Sequence, residues 1–379
     1  MSAALVLAVF SLAIWIYLLG FRGMFWLTRE RDDGEARARA QWPSVTAIVP
    51  ARDEAETIAQ AVGSLLALDY PGDFRIVLVD DRSGDGTAAA ARRLHSGARL
   101  AILSGAEPPS GWTGKLWALK QGIDQARKEE PDYLWFTDAD IAHTPDNLRC
   151  LVARAEDGRY VLVSLMAKLH CESFAERFLV PAFVFYFKML FPFSWVNRCG
   201  NPTAAAAGGC MLVRREALER AGGIQSVRRE IIDDCALARR MKQQGGIWLG
   251  LTERAVSLRR YPRLRDIKRM IVRSAYAQLN YSPVLLAGTI AAMAVTFALP
   301  PLLALLGAGT ARFLAGAAWL CMAAGFQPML RFYRRMPLWG LALPLIGIVY
   351  TVFTVDSAIQ FWRGRGGLWK GRYQTMTRA

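Results

Sequence analysis

The chain has 379 residues, of which 53% are hydrophobic, and a mean hydropathy of +0.18, which excludes a purely water-soluble enzyme and assigns part of the chain to lipid. Lys and Arg outnumber Asp and Glu by 47 to 32, a formal charge of +15. With no zinc-finger spacing, homeodomain pattern or RNA-binding aromatic motif in the sequence, that excess points to anionic lipid or phosphate and not to nucleic acid.

Residues 3–19 are nearly all apolar and, with 20–27, are long enough to cross a hydrocarbon core of about 30 Å. The preceding residues carry no positive charge and no small-x-small cleavage site follows, so a retained anchor over 1–27 is expected and not a cleaved leader. From Ser44 the pattern changes to short β-rich runs, Val45–Val49, Arg75–Val79, Leu100–Leu103 and Tyr133–Phe136, alternating with helix-compatible stretches such as Glu56–Leu66 and Thr87–Leu94. That alternation predicts an α/β domain with a mostly parallel sheet over 28–282. In such sheets the ligand lies beyond the carboxyl ends of the strands, where the acidic motifs after the second and fourth runs fall. The stretch 178–196 is apolar and aromatic but interrupted by Pro181, Lys188 and Pro192, and reads as an element lying at the membrane interface, with a buried core helix as the alternative.

Three apolar segments follow within 283–362: Val284–Leu306, Phe313–Leu330 and Leu338–Phe361. The last contains Pro344 and Asp356, so a kink or re-entrant turn is expected, with the carboxylate facing protein or water. A basic tail occupies 363–379. The Arg- and Lys-rich block from Arg29 to Arg273, and Arg331–Arg335, are both expected on the cytoplasmic side by the positive-inside rule. A fourth crossing would put Arg363, Arg365, Lys370 and Arg372 outside, which leaves the side of the tail open. Cys150, Cys171, Cys199, Cys210, Cys235 and Cys321 form no C-x-x-C pair, so neither a zinc ribbon nor a disulfide framework is indicated. His95, His143 and His170 are isolated and receive no role.

Three pairs of carboxylates carry the chemistry: Asp80-Asp81, Asp138-Ala139-Asp140 and Asp233-Asp234. They suit three jobs: accepting hydrogen bonds from a nucleotide, holding a hard divalent cation, and taking a proton from a hydroxyl. The Gly111-Trp112-Thr113-Gly114-Lys115 turn offers a compact positive charge for a phosphate, and it lacks the spacer and Ser/Thr of a Walker A loop. The glycines between Ser83 and Gly86 permit a tight turn into the next helix, and Asp233-Asp234 could equally be acids favoured at a helix N-terminus.

The run Val45 to Glu54, with Pro50-Ala51-Arg52-Asp53-Glu54, followed by Ile76 to Thr87, resembles the start of family 2 glycosyltransferases of the GT-A fold. Gly111 to Trp117, Thr137-Asp138-Ala139-Asp140, Ala207-Gly208-Gly209-Cys210 and Asp233-Asp234-Cys235 resemble that family's later elements. The resemblance implies donor-nucleotide contacts at Pro50, Ala51, Arg52, Glu54, Asp80, Asp81, Lys115, Asp138 and Arg269, and Mg²⁺ or Mn²⁺ on Asp138 and Asp140. It further implies an acceptor side at Gly208, Gly209 and Asp233, with Asp234 as general base of an inverting transfer. Of the Gln-x-x-Arg-Trp element of polymer synthases only Arg269 remains, which favours transfer of one sugar to a discrete membrane lipid. With Ala277-Gln278-Leu279-Asn280-Tyr281-Ser282-Pro283 and Trp369-Lys370-Gly371-Arg372, the sequence is most similar to the hopanoid-biosynthesis-associated glycosyltransferases of the bacterial inner membrane. That likeness implies a nucleotide-sugar donor and a hopanoid-related acceptor. Ceramide-type or polyprenyl-phosphate glycosyltransferases and an inactive membrane scaffold are the alternatives.

Overall fold

A computed structural model describes residues 2–36, 39–94, 97–369 and 372–373; His95, Lys370, Gly371 and the tail from Gln374 onward lie outside the described residues. The described residues form two compact units, one built from Glu30–His170 and Trp195–Arg260, the other from the residues up to Arg29, Cys171–Ser194 and Tyr261–Leu368. Residues 171–194 and 261–282, read from the sequence as part of the catalytic block, thus cluster with the apolar helices.

Among the described residues, the first unit is an α/β sheet of eight strands: β1 Val45–Ala51, β2 Phe74–Asp80, β3 Leu100–Ser104, β4 Tyr133–Thr137, β5 Ile141–His143, β6 Leu162–Lys168, β7 Cys210–Arg214 and β8 Ile247–Ser257. Their order is β3-β2-β1-β4-β7-β6-β8-β5. β7 runs antiparallel to β4 and β6, and β5 antiparallel to β8; the other pairings are parallel. The carboxyl ends of β1, β2, β4, β6 and β8 therefore share one edge with the amino end of β7. Central strands such as Val45–Ala51 and Tyr133–Thr137 are buried at every position, as expected of strands covered on both faces.

β1 extends beyond the run Val45–Val49 through Pro50 to Ala51, which registers with Asp80. Val45 N–H donates to Asp73 and Ala51 accepts from Asp81 N–H, so these residues face β2 and, by alternation, Pro50 faces β4. The β1–β4 ladder ends at Ile48, so the missing N–H of Pro50 breaks no hydrogen bond there.

Among the described residues, the second unit holds four helical segments long and apolar enough to cross a membrane: Ala3–Gly20, Pro283–Leu306, Gly309–Phe332 and Pro337–Trp362. In the last, Pro344 occupies the first turn of the α-helix Leu343–Trp362, directly after the 3-10 turns Pro337–Ala342, where a missing N–H is harmless. Its Asp356 is 3.0 Å from Lys268. Ser357, one residue on, donates to the Val272 carbonyl at 2.6 Å and accepts from Tyr276 N–H.

The aromatic stretch 178–196 is largely an internal helix, Phe174–Leu190, started by a capping box between Ser173 and Glu176. Phe185 is buried between Phe25 and Phe326, both rings 5.1 Å away. Lys188, also buried, donates to the Leu27 carbonyl and lies 5.1 Å from the Phe193 ring. At the amino end the exposed Phe174 is stacked on Phe178, and both lie beside Trp339. The sequence weighed an interface element against a core helix, and burial favours the core helix for the middle of this stretch.

Candidate active site

The shared sheet edge gathers the acidic motifs. At the end of β2, Asp80 accepts from Ser83 N–H at 3.4 Å. The next carboxylate points inward: Asp81 is 1% exposed and its Oδ2 lies 3.6 Å from the Arg52 guanidinium, which also donates to the Asp81 carbonyl. Of this pair, Asp80 is the more open to a ligand. The loops after β1 and β2 are laced together: Asp53 N–H donates to Ser83, Gly84 N–H to Asp53, Glu54 N–H to Thr87 and Ala55 N–H to Asp85. Gly86, at φ +90°, makes the turn into the helix Thr87–Arg92, a conformation that suits glycine.

Lys115 stands in the first turn of the helix Gly114–Ala126, whose N-cap is the Thr113 hydroxyl. Its Nζ is 2.8 Å from Asp138 Oδ1 and 4.0 Å from Asp233 Oδ2. Burial alone would lower the pKa of this amine, but the carboxylates of Asp138, Asp233 and Asp234 outweigh it and hold the pKa above its ordinary value. Lys115 is therefore a fixed positive charge at the centre of the site.

Asp138 and Asp140 follow β4 directly. The Thr137 hydroxyl donates to the Gly209 carbonyl at 3.0 Å and lies 2.8 Å from His143 Nε2, while His143 Nδ1 faces the Asn147 amide. With Thr137 donating to Gly209, it accepts from Nε2–H and leaves Nδ1 to accept from Asn147. Burial pushes the His143 pKa down to about 3, so the imidazole is a neutral strut beneath the acidic loop. Asp140 carries a residue that sequence reasoning missed. Arg259, just past β8, places Nε 2.6 Å from Asp140 Oδ2 and its other arm 2.5 Å from Glu54 Oε1. No motif spacing marks Arg259; only the β8 register brings it to this edge.

Asp233 and Asp234 open the helix Asp233–Lys242. Asp234 Oδ2 accepts from Gly208 N–H at 2.9 Å and Oδ1 from Cys235 N–H at 2.7 Å. Its pKa is pushed up to about 6 by burial and then by Asp233, against the pull of Lys115 and the two N–H groups. A Cβ at Gly208 would lie 3.4 Å from both Asp234 Oδ2 and Lys115 Nζ, so the glycine permits this close approach. Gly209 abuts Ile141 and Ala167. Arg269 belongs to the apolar unit, on the helix Leu264–Val272, largely exposed and 3.9 Å from Asp266.

Asp138 and Asp140 offer hard carboxylate oxygens from one short loop. Among the described residues no group of three or more His, Cys, Asp or Glu converges on one point. The donor set fits Mg²⁺ or Mn²⁺ held by two carboxylates that completes its shell from phosphates and water.

Residues 46–222 match the family model Glycosyl transferase family 2. A curated relative, the probable glycosyltransferase YdaM of Bacillus subtilis (strain 168), is 28% identical over 145 residues, covering 36% of this chain and 33% of the relative; the match thus spans a third of that protein's length. Among solved structures, the mannosyltransferase PcManGT of Pyrobaculum calidifontis, in complex with GDP-Man and Mn²⁺, is 21% identical with a TM-score of 0.53, covering 93% of this chain and 98% of that one. The fold is GT-A, with a mixed, mostly parallel sheet and apolar helices toward both ends of the chain.

Proposed function

We propose that the chain is an inverting glycosyltransferase that moves one sugar from a nucleoside-diphosphate donor to a hydroxyl of a membrane lipid, a hopanoid-related acceptor in the first instance. One observation carries this reading: Lys115, Asp138, Gly208 and Asp233-Asp234, from four separate motifs, meet at a single sheet edge in a domain matching the family 2 model. Four helical segments fit for a bilayer support a lipid acceptor and a multi-pass placement in the bacterial inner membrane. The excess of Arg and Lys in the catalytic block supports its cytoplasmic orientation.

In this reading Asp80 and the loops around Arg52 and Glu54 receive the nucleoside, and Lys115 meets the diphosphate as a point charge. Asp138 and Asp140 would hold Mg²⁺ or Mn²⁺, which when bound neutralises charge on the departing nucleoside diphosphate. Asp234 takes the proton of the acceptor hydroxyl as its oxygen attacks the anomeric carbon from the side opposite the leaving group. A base of pKa near 6 is largely ionised at pH 7 yet stronger than an ordinary aspartate. The N–H groups of Gly208 and Cys235 orient its two oxygens.

The test is to incubate membranes carrying the protein with a panel of labelled sugar nucleotides, with and without EDTA, and to analyse the extracted lipid. Label in a hopanoid fraction that disappears with EDTA supports the reading. Label in ceramide or polyprenyl phosphate would replace the acceptor, and release of free sugar alone would remove the lipid from the scheme.

A further inference from the structure

The two carboxylates assigned to the metal are each already joined to a cation. Lys115 Nζ is 2.8 Å from Asp138, and Arg259 divides its guanidinium between Asp140 at 2.6 Å and Glu54 at 2.5 Å. Asp140 and Glu54 keep only 14% and 12% of their side chains exposed, so these are partly desolvated contacts of appreciable strength. The segment bearing Arg259 is pinned by Leu258 N–H, which donates to the Asp140 carbonyl at 2.7 Å. Displacement of the guanidinium therefore requires movement of the side chain alone.

We propose that Lys115 and Arg259 are resident counter-cations of the metal pair: positioning residues that hold Asp138 and Asp140 against a bare divalent ion and yield them when a diphosphate arrives. This rests on the reading of the edge as a metal and diphosphate site. A dication entering without donor meets two positive groups and, among the described residues, two carboxylates, with neutral water left to fill the rest of its shell. A diphosphate supplies the missing oxygens and attracts the two cations away. Metal and nucleotide binding are then coupled, and by linkage each strengthens the other by the same factor. Because Arg259 spans two loops, its release also removes its contact with Glu54, so the nucleoside side of the site registers the state of the metal side.

The experiment measures free Mn²⁺ by electron paramagnetic resonance with the full-length protein in detergent, alone and with UDP or GDP, after subtracting Mn²⁺ held by nucleotide in solution. For the unaltered protein at least one nucleotide should raise Mn²⁺ affinity by about fivefold or more. Arg259→Gln and Lys115→Gln should each bind Mn²⁺ more tightly than the unaltered protein without nucleotide, and should lose most of the enhancement with it. A residue that merely held the fold would not give that reversal. Arg259→Lys, which keeps the charge, should restore part of the coupling. Weaker nucleotide-free Mn²⁺ binding in both glutamine variants, or enhancement undiminished in both, overturns the proposal, and Lys115→Gln decides the matter if Arg259→Gln does not fold. An unaltered protein that binds neither Mn²⁺ nor nucleotide overturns the functional reading itself, and this inference with it.

Discussion

The two acidic pairs facing each other across the site look alike in sequence and differ in their surroundings. Asp138 and Asp140 each have a cation at hydrogen-bond distance. Asp233 and Asp234 share one lysine, whose nearest approach to Asp233 is 4.0 Å, and Asp234 relies on backbone N–H groups. The first pair is compensated residue by residue, whereas the second is crowded with like charge and only partly relieved, which pushes one carboxyl toward protonation. The difference suits the first pair to sites for positive charge and the second to proton transfer.

Exchanging a charge in each pair is the sharpest way to break this contrast. Asp138→Asn or Asp140→Asn should lower transfer by about 10³-fold or more, because a charged ligand is removed from the cation that faces the diphosphate. Radiolabelled product and Mn²⁺-dependent donor binding should fall together, and full activity in EDTA would remove the metal from the account. Asp234→Asn should lower kcat by about 10² to 10⁴ while donor affinity stays within about twofold. If donor binding drops in parallel, Asp234 has no separate role as base.

The pH dependence sharpens the same contrast. The Asp234 pKa stands near 6 against an ordinary 3.8, so kcat/KM should rise through about pH 6 as the base ionises, and this limb should be missing from the residual activity of Asp234→Asn. Folding favours the protonated form. The stability from that preference is fully present below about pH 4 and is lost as the pH rises through about 6. Relative to the unaltered protein, Asp234→Asn should therefore gain thermal stability at pH 8 compared with pH 4, and an equal shift at both would disprove the linkage.

The smallest effect concerns the glycine between the two pairs. Gly208→Ala places a methyl against Asp234 and Lys115 at 3.4 Å, so a few tenths of an ångström of displacement should cost about tenfold or less in kcat with little change in melting temperature. Unchanged kinetics would mean that the approach of the two groups is not tight.

Much of this was legible in the chain. The runs Val45–Val49, Arg75–Val79, Leu100–Leu103 and Tyr133–Phe136 lie within observed strands; β1 and β4 are buried at every position, which requires continuous β-branched, aromatic and aliphatic side chains, whereas the edge strand β3 is only half-buried. The apolar spans were also legible, since length and hydropathy alone satisfy a hydrocarbon core. The family resemblance implied one site for Lys115, Asp138 and Asp234, and the sheet topology brings them to one edge.

Partnership was left to the tertiary structure. The sequence cannot rank the two members of Asp80-Asp81, because only the position of Arg52 turns Asp81 inward. It cannot decide whether an aromatic helix faces lipid or core, because Phe178 to Val196 is apolar enough for either, and the packing of Phe25 and Phe326 around Phe185 settles the middle of it. It gives no sign of Arg259, one arginine among several after β8, whose role comes from a register bringing it within 2.6 Å of a carboxylate 119 residues earlier. Local pattern encodes which surfaces must be buried; the pairing of charges from distant segments is fixed only when the sheet closes and sets their distances.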